Sequence, residues 1–313
     1  MTVSVVMCTY NGALYIKDQI LSILAQTHPV TELLVFDDAS TDNTVEIIKE
    51  IALKTPSVKL SVNNQNIGFI KNFEQAIKAA KGDVIAISDQ DDLWVDTKIE
   101  KMIKAWKKES TLIYCNSIIF TDRPPLHPKR NKNFRYFEGT DARKIFMVNT
   151  VSGHAMLIKR QLLDLIFPFA EGVMYDWWIA VVAAYNGGVQ HFDEILVFQR
   201  SHARNITVSS HRELSIEEER NAYKKFLIIQ CQKFASAPNI PATHKAFLEE
   251  FTSLTRESLI KKFHRQLFLF ILKNRLLLFN YKRKRISIFS HIKHSYIRAF
   301  NAKWKENTNE VLF

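Results

Sequence analysis

The sequence predicts an α/β protein: an open, mostly parallel sheet flanked by helices, followed by a basic helical extension. Three observations carry this reading. Within residues 1–90, four short apolar runs rich in β-branched residues alternate with segments of helical periodicity. Three of those runs end in clusters of polar residues, and in open parallel sheets ligands bind in the crevice beyond the strand C-termini. The chain then turns helical and basic: from residue 256 onward 14 Lys and Arg face three acidic residues, whereas residues 1–255 are neutral. An apolar fraction of 47% and a charged fraction of 24% exclude a disordered or fibrous chain.

Residues 3–7 read as a strand buried on both faces, broken by Thr9-Tyr10-Asn11-Gly12. Residues 14–26 have helical spacing through Leu14, Ile20, Leu21 and Leu24. A second strand, 33–36, stops at Asp37-Asp38-Ala39-Ser40-Thr41-Asp42. A helix over 44–54, a strand over 58–62 and a helix over 71–80 follow, the last closed by Gly82 as a left-handed cap. The fourth strand, 84–87, runs into Ser88-Asp89-Gln90-Asp91-Asp92. Further on, strands are predicted over 111–120, 153–158 and 187–198, with a helix over 176–185 and a proline-bearing basic loop over 123–135. Helical pattern dominates from 211, so a boundary is placed near 209.

Asp89 and Asp91 point to the same side of an extended chain at a strand end. Two carboxylates so placed repel each other unless a cation lies between them, and an oxygen-rich donor set suits Mg²⁺ or Mn²⁺. The plain alternative is an acidic turn in which Asp92 caps the next helix. Asp37 and Asp38 end the second strand in the same crevice, where one carboxylate can accept from a ribose hydroxyl or a base N–H; the alternative is an Asx turn, with Asp42 and Thr44 structural. No Gly-x-Gly-x-x-Gly and no phosphate-loop motif occurs, which argues against a dinucleotide oxidoreductase and a P-loop NTPase. A nucleotide can still be held by Thr9, Tyr10 and Asn11.

Three strings, Val5-Val6-Met7-Cys8-Thr9-Tyr10-Asn11-Gly12, Val35-Phe36-Asp37-Asp38-Ala39-Ser40-Thr41-Asp42 and Ser88-Asp89-Gln90-Asp91-Asp92-Leu93-Trp94, resemble in order and spacing the family 2 glycosyltransferases. The resemblance implies a GT-A fold, a nucleotide-sugar donor, a divalent metal held by a D-x-D motif, and inversion at the anomeric carbon. Tyr175-Asp176-Trp177-Trp178 is similar to the family's acceptor-side motif, whose Asp is the general base. Residues 198–205 resemble the R-x-H-x-x-N segment of its rhamnosyltransferase-like members, which implies Arg200 near the diphosphate and His202 near the metal. Ser201 and Ala203-Arg204 stand where Gln and Gly-Asn are commoner. Lys71 and Asn72 fall where the family often contacts the base or phosphate, although both equally suit a helix start.

The expected assignments follow. Asp89, Asp91 and His202 hold Mn²⁺ or Mg²⁺. Thr9, Tyr10, Asn11, Asp38, Asn72, Asp89 and Arg200 hold the nucleotide sugar. Asp176 is the base. Trp177 and Trp178 serve as a sugar platform or as core. The catalytic domain spans 1–208, its nucleotide-sugar half about 1–110 and its acceptor half about 111–208, with 209–313 as a helical C-terminal region. The acceptor is a glycan or lipid-linked glycan.

Two other classes compete. A nucleotidyltransferase would need a glycine-rich loop with a cation after the first strand, where this chain has Cys8-Thr9-Tyr10-Asn11-Gly12. A nucleic-acid binder would use Lys282-Arg283-Lys284-Arg285 but leaves the acidic strand ends unexplained, so no nucleic-acid partner is expected.

No apolar run is long enough to span a bilayer, and no signal segment opens the chain. Cys8, Cys115 and Cys231 read as reduced core thiols in a reducing compartment. Apolar 267–272 and 276–279, with Lys273, Arg275 and the 282–285 cluster, are expected to lie on the inner face of a plasma membrane. The alternative packs those leucines on the catalytic domain.

Overall fold

The computed structural model describes residues 1–129, 134–202, 216–281 and 288–300. The first half alternates as expected: β1 (Val3–Thr9), α1 (Ile16–Leu24), β2 (Glu32–Asp37), α2 (Thr44–Lys54), β3 (Val58–Val62), α3 (Phe69–Ala79) and β4 (Val84–Ser88). Then come β5 (Leu93–Trp94), α4 (Lys98–Ala105), β6 (Leu112–Phe120), β7 (Met156–Lys159), α5 (Leu163–Ile166), α6 (Tyr175–Tyr185) and β8 (Val189–Arg200). Helices α7 (Ile216–Phe234), α8 (Ala242–Ser258), α9 (Arg265–Lys273), α10 (Arg275–Leu278) and α11 (Ile288–Ala299) complete the described chain.

The eight strands form one sheet in the order β3-β2-β1-β4-β7-β6-β8-β5. Strands β1 to β4 pair in parallel, as do β6 and β8, while β7 and β5 run against their neighbours. Parallel pairing sends β1, β2 and β4 out at one edge, so 10–12, 37–42 and 89–92 converge there. Helices cover both faces. Val3, Val5 and Met7 of β1 pack with α1 and α2 on one side, and Val6 packs with α3 and α6 on the other.

Two local expectations are corrected. Gly82 is not a left-handed cap, since helix α3 ends at Ala80 in extended backbone. A Cβ at Gly82 would lie 2.6 Å from the Ser4 backbone nitrogen, so close approach to β1 accounts for the glycine. The strand expected over 153–158 begins as a 3₁₀ turn, Gly153–Ala155, because the chain bends beneath Tyr175. The Tyr175 hydroxyl sits 2.4 Å from where a Gly153 Cβ would stand.

The C-terminal helices share the core of the sheet. Leu227, Cys231, Phe234, Leu248, Phe251, Ile271 and Leu278 join Phe146, Trp177 and Val181 in one hydrophobic cluster. Position 209, where the boundary was placed, lies outside the described residues, as does the 282–285 cluster. Leu267, Phe270, Ile271, Leu278 and Phe279, expected on a membrane surface, are buried; burial in water-excluding protein satisfies the same apolar groups. Leu269, Leu276, Phe289 and Ile292 stay exposed. No helix among the described residues is long and apolar enough to cross a membrane.

Phe251 tests this shared core. Its ring lies 5.1 Å from Phe146 and 5.8 Å from Phe270. Phe251→Ala is expected to cost about 3–5 kcal/mol in urea unfolding. A loss within about 1 kcal/mol, ordinary for a site outside the core, would place α8 outside it.

Candidate active site

The loop after β1 is held by hydrogen bonds to the turns after β2 and β4. Thr9 is buried and donates its hydroxyl to Asp37 at 2.8 Å. Asn11 takes a left-handed φ of 50°, its N–H donating to the Ser40 hydroxyl and its Oδ1 accepting from the Thr41 N–H. Gln90 braces the loop from β4, accepting from the Tyr10 N–H at 2.9 Å. Its Oε1 stands 2.3 Å from where a Gly12 Cβ would be, so a larger residue there would have to displace the Gln90 side chain. Tyr10 itself is exposed to the crevice. Asp42 accepts from the Thr44 hydroxyl and from Ala13 N–H, the structural duty expected of that pair.

Asp38 and Asn72 are turned inward. The Asp38 carboxylate is buried and accepts from Asn63 Nδ2, Ile67 N–H and Gly68 N–H, each at 2.9 Å. It pins the loop between β3 and α3 instead of presenting a free carboxylate to the crevice. Asn72 donates to the Phe36 carbonyl and accepts from Asn63 and Gln75. Its amide is filled by protein partners and only 1% of the residue is exposed. Lys71 is exposed on the first turn of α3.

The acidic strand end meets the end of β8. His202 Nε2 lies 2.8 Å from Asp91 Oδ2, and its ring stacks on Tyr15 at 4.7 Å. Arg200 donates from its side chain to the Asp91 carbonyl and from its backbone to Asp92 Oδ1. Its guanidinium is held over Tyr15 and Phe120 at 4.8 and 4.6 Å, where the ring faces attract the cation. Asp92 therefore ties the acidic turn to β8; it is not the cap of α4, whose capping position is Thr97.

Behind the turn lies a group the sequence reading missed. One oxygen each of Asp89 and Asp92 and one ring nitrogen of His154 lie within 4.8 Å of one another. His154 Nδ1 is 3.6 Å from Asp89 Oδ2. Lys98 is wholly buried beneath them, donating to the His154 carbonyl at 3.1 Å with its Nζ 3.2 Å from the Trp94 ring centre. Burial pushes the Lys98 pKa down to about 7. Burial raises the Asp92 pKa, and burial followed by the Asp89 charge raises that of Asp91. His154 gains proton affinity against its own desolvation because Asp92 and Asp89 face it. A histidine in a run read as a strand carried no signal, and a lysine at a helix start reads as solvated.

The donor set fits a divalent cation. Carboxylate oxygens with one imidazole suit Mn²⁺ or Mg²⁺. Among the described residues, Asp92 Oδ2 and His154 Nε2 are buried without a hydrogen-bond partner, leaving polar atoms unsatisfied beside the turn.

Asp176 opens α6. Its Oδ1 accepts from the Trp177 N–H at 2.7 Å, and a Gly153 Cβ would stand 3.2 Å from its own Cβ. Burial pushes its pKa up to about 6. Trp177 and Trp178 are core residues, donating through their indoles to the Ile145 and Ile166 carbonyls at 2.8 Å each. They fix the start of α6 and so aim Asp176; neither is a sugar platform.

The sequence signature of glycosyl transferase family 2 matches residues 4–167. An uncharacterised glycosyltransferase of Nostoc sp. is 26% identical over 233 residues, 71% of each chain. The dTDP-rhamnosyl transferase RfbG of Shigella flexneri is 36% identical over 118 residues, 36% of this chain and 41% of that relative. Among solved structures, S. aureus TarS 1-349 in complex with UDP-GlcNAc superposes with a TM-score of 0.61 at 21% identity, covering 96% of this chain and 90% of that one. The strand order, the convergent loops and these similarities agree: the chain belongs to glycosyl transferase family 2 and is a glycosyltransferase with the GT-A fold.

Proposed function

We propose that the enzyme moves a sugar from a nucleotide-sugar donor to a hydroxyl of a glycan or lipid-linked glycan, with inversion, in the assembly of a cell-surface polysaccharide. The observation that carries this reading is that the 153–154 turn joins the acidic strand end to Asp176: His154 Nδ1 lies 3.6 Å from Asp89 Oδ2, and a Cβ on the adjoining Gly153 would stand 3.2 Å from the Asp176 Cβ. The name of the Shigella relative supports a deoxyhexosyl donor, and that of the S. aureus structure supports a uridine nucleotide sugar.

The backbone around Tyr10 and Asn11, with Asp89 and Arg200, faces the donor. Asp89, Asp91 and His202 would hold Mn²⁺ or Mg²⁺, which supplies positive charge against the departing diphosphate. Asp91 and His202 are favoured over Asp92 and His154 because the inner pair is buried and Asp92 Oδ1 is already held by the Arg200 backbone N–H. Arg200 adds charge where the leaving group becomes more negative. The transition state is oxocarbenium-like. Asp176 takes the proton of the acceptor hydroxyl as that oxygen bonds to the anomeric carbon from the face opposite the diphosphate. One displacement inverts the centre, and proton NMR of the first product reads its configuration. A retained configuration would contradict the mechanism.

A base must be ionised to act. The Asp176 carboxyl, with a pKa raised to about 6, is ionised above that pH and loses its function as pH falls through it. The log of kcat is therefore expected to rise with unit slope up to about pH 6 and then level off. A rate unchanged down to pH 4, near the ordinary carboxylate value, would remove Asp176 from the role.

The reading extends to a membrane contact through the basic C-terminal region. Exposed Leu269, Leu276 and Phe289 support it, with the 282–285 cluster lying between Leu276 and Phe289 in sequence. The full chain is expected to float with anionic vesicles at low salt and not with neutral ones. If it stays at the bottom with both, the C-terminal helices serve packing alone.

A further inference from the structure

One aromatic ring touches both basic side chains at the end of β8. Arg200 closes that strand and His202 stands two residues on, the spacing that puts both side chains on one side of an extended chain. Tyr15 stacks on the His202 imidazole, with ring centres 4.7 Å apart and planes 23° from parallel. The Arg200 guanidinium carbon lies 4.8 Å from the centre of the same Tyr15 ring. Both separations are those of attractive ring–ring and cation–ring contacts.

We propose that Tyr15 is the positioning residue of the donor site: its ring presets His202 for the metal and Arg200 for the diphosphate before either ligand arrives. The inference rests on the glycosyl-transfer reading above and adds to it a residue that touches neither metal nor sugar. Three observations argue for it. The ring is anchored on a different element from the side chains it holds. Tyr15 occupies the N-cap position of α1, its N–H donating to the Gly12 carbonyl at 3.0 Å, while the Gly12 N–H donates to Thr44 Oγ1 at 2.8 Å. Tyr15 therefore ties the loop that carries Tyr10 and Asn11 to the end of β8.

The fold makes little other use of this side chain. Tyr15 is half-buried and, among the described residues, joins neither hydrophobic cluster of the sheet. Its hydroxyl makes no hydrogen bond among the described residues, so the ring faces carry its contacts. The third observation is aim. His202 Nε2 already faces Asp91 Oδ2 at 2.8 Å, and Arg200 Nε already donates to the Asp91 carbonyl at 3.1 Å. Phe120 closes on the same guanidinium at 4.6 Å. A long side chain that is held in place beforehand loses less rotamer freedom when it meets an anion.

Electron paramagnetic resonance of Mn²⁺ titrated into the full chain tests the His202 side. Tyr15→Leu is expected to weaken Mn²⁺ about tenfold, the low end of what partners orienting a metal ligand carry. Tyr15→Phe keeps the ring and should stay within about twofold of the parent. In a His202→Ala background Tyr15→Leu should cost nothing further, because a residue that acts through another loses its effect when that other is removed. Calorimetry of UDP in excess Mn²⁺ reads the Arg200 side. There Tyr15→Leu should bind UDP severalfold more weakly, and the difference should vanish in an Arg200→Ala background. Proton NMR of the metal-free parent decides the matter if Tyr15→Leu does not fold. The His202 ring signals, identified by their loss in His202→Ala, should lie upfield of a solvated histidine's because the Tyr15 ring current acts on them.

The inference is overturned if Tyr15→Leu binds Mn²⁺ like the parent, if Tyr15→Phe is as weak as Tyr15→Leu, if either loss persists in its alanine background, or if the His202 signals are unshifted. A parent that binds Mn²⁺ and UDP yet releases no nucleoside diphosphate from any nucleotide sugar counts against the glycosyl-transfer reading alone. A parent that binds no Mn²⁺ removes the cation site and this inference with it.

Discussion

Asp91→Ala is expected to lower activity by roughly 10³-fold or more and to abolish metal-dependent binding of nucleoside diphosphate. The argument starts from what surrounds the carboxylate. Asp91 is half-buried, faces His202 at 2.8 Å, and has its proton affinity raised by desolvation and by the Asp89 charge. Two like charges at a strand end are tolerable only when a cation offsets them. With Asp91 removed, the remaining charge is too small to bind the cation tightly, and the departing diphosphate loses its main stabilisation. Thermal unfolding gives an independent reading. Mn²⁺ should raise the parent's melting temperature in proportion to occupancy and leave that of the variant unmoved. Equal metal-dependent binding in calorimetry would remove Asp91 from the cation site and move the assignment to the inner trio of Asp89, Asp92 and His154.

Asp176→Asn is expected to keep donor binding and lose at least about 10²-fold in kcat. The amide has nearly the same shape and still accepts the Trp177 N–H, so α6 should start as before. It cannot take a proton. The same substitution should stabilise the fold above pH 6. Burial raises the native pKa to about 6, so ionisation opposes folding at any pH above the unfolded value, and that opposition is complete once pH exceeds the native value. Removing the charge should therefore give about 1–2 kcal/mol in urea unfolding at pH 7.5, and little at pH 4. Activity lost with stability gained marks a group held for chemistry; a variant that loses both is structural. Transfer within a few-fold of the parent would place the base elsewhere.

The sheet was legible because its strands are short β-branched runs cut by polar clusters, a local signal. Helix α2 and strand β3 begin and end where periodicity places them. The crevice was legible for a related reason, since parallel pairing carries the C-termini of β1, β2 and β4 to one edge. Partner relationships were less so. Nothing local in Asp38 or Asn72 shows that the loop of Asn63, Ile67 and Gly68 folds back onto them and fills their bonding capacity. Nothing local shows that Lys98 runs under Trp94 to the carbonyl of His154, 56 residues away. The two tryptophans after Asp176 could pack or stack by composition alone; their indole N–H groups settle it by reaching carbonyls inside the core. In the tail, an apolar stripe with flanking cations reads alike for a membrane surface and for a protein surface. The folded chain shows that much of the stripe faces the same core as the sheet.

The central claim is that the edge where β1, β4 and β8 meet is a metal-dependent glycosyl-transfer site. Nucleoside diphosphate release from dTDP-rhamnose and from UDP-N-acetylglucosamine, with Mn²⁺ and then with excess chelator, tests it most directly on the parent and on Asp91→Ala. The account predicts release by the parent from at least one donor, abolished by the chelator and absent in the variant. Release that is indifferent to the chelator, or equal in parent and variant, would contradict it.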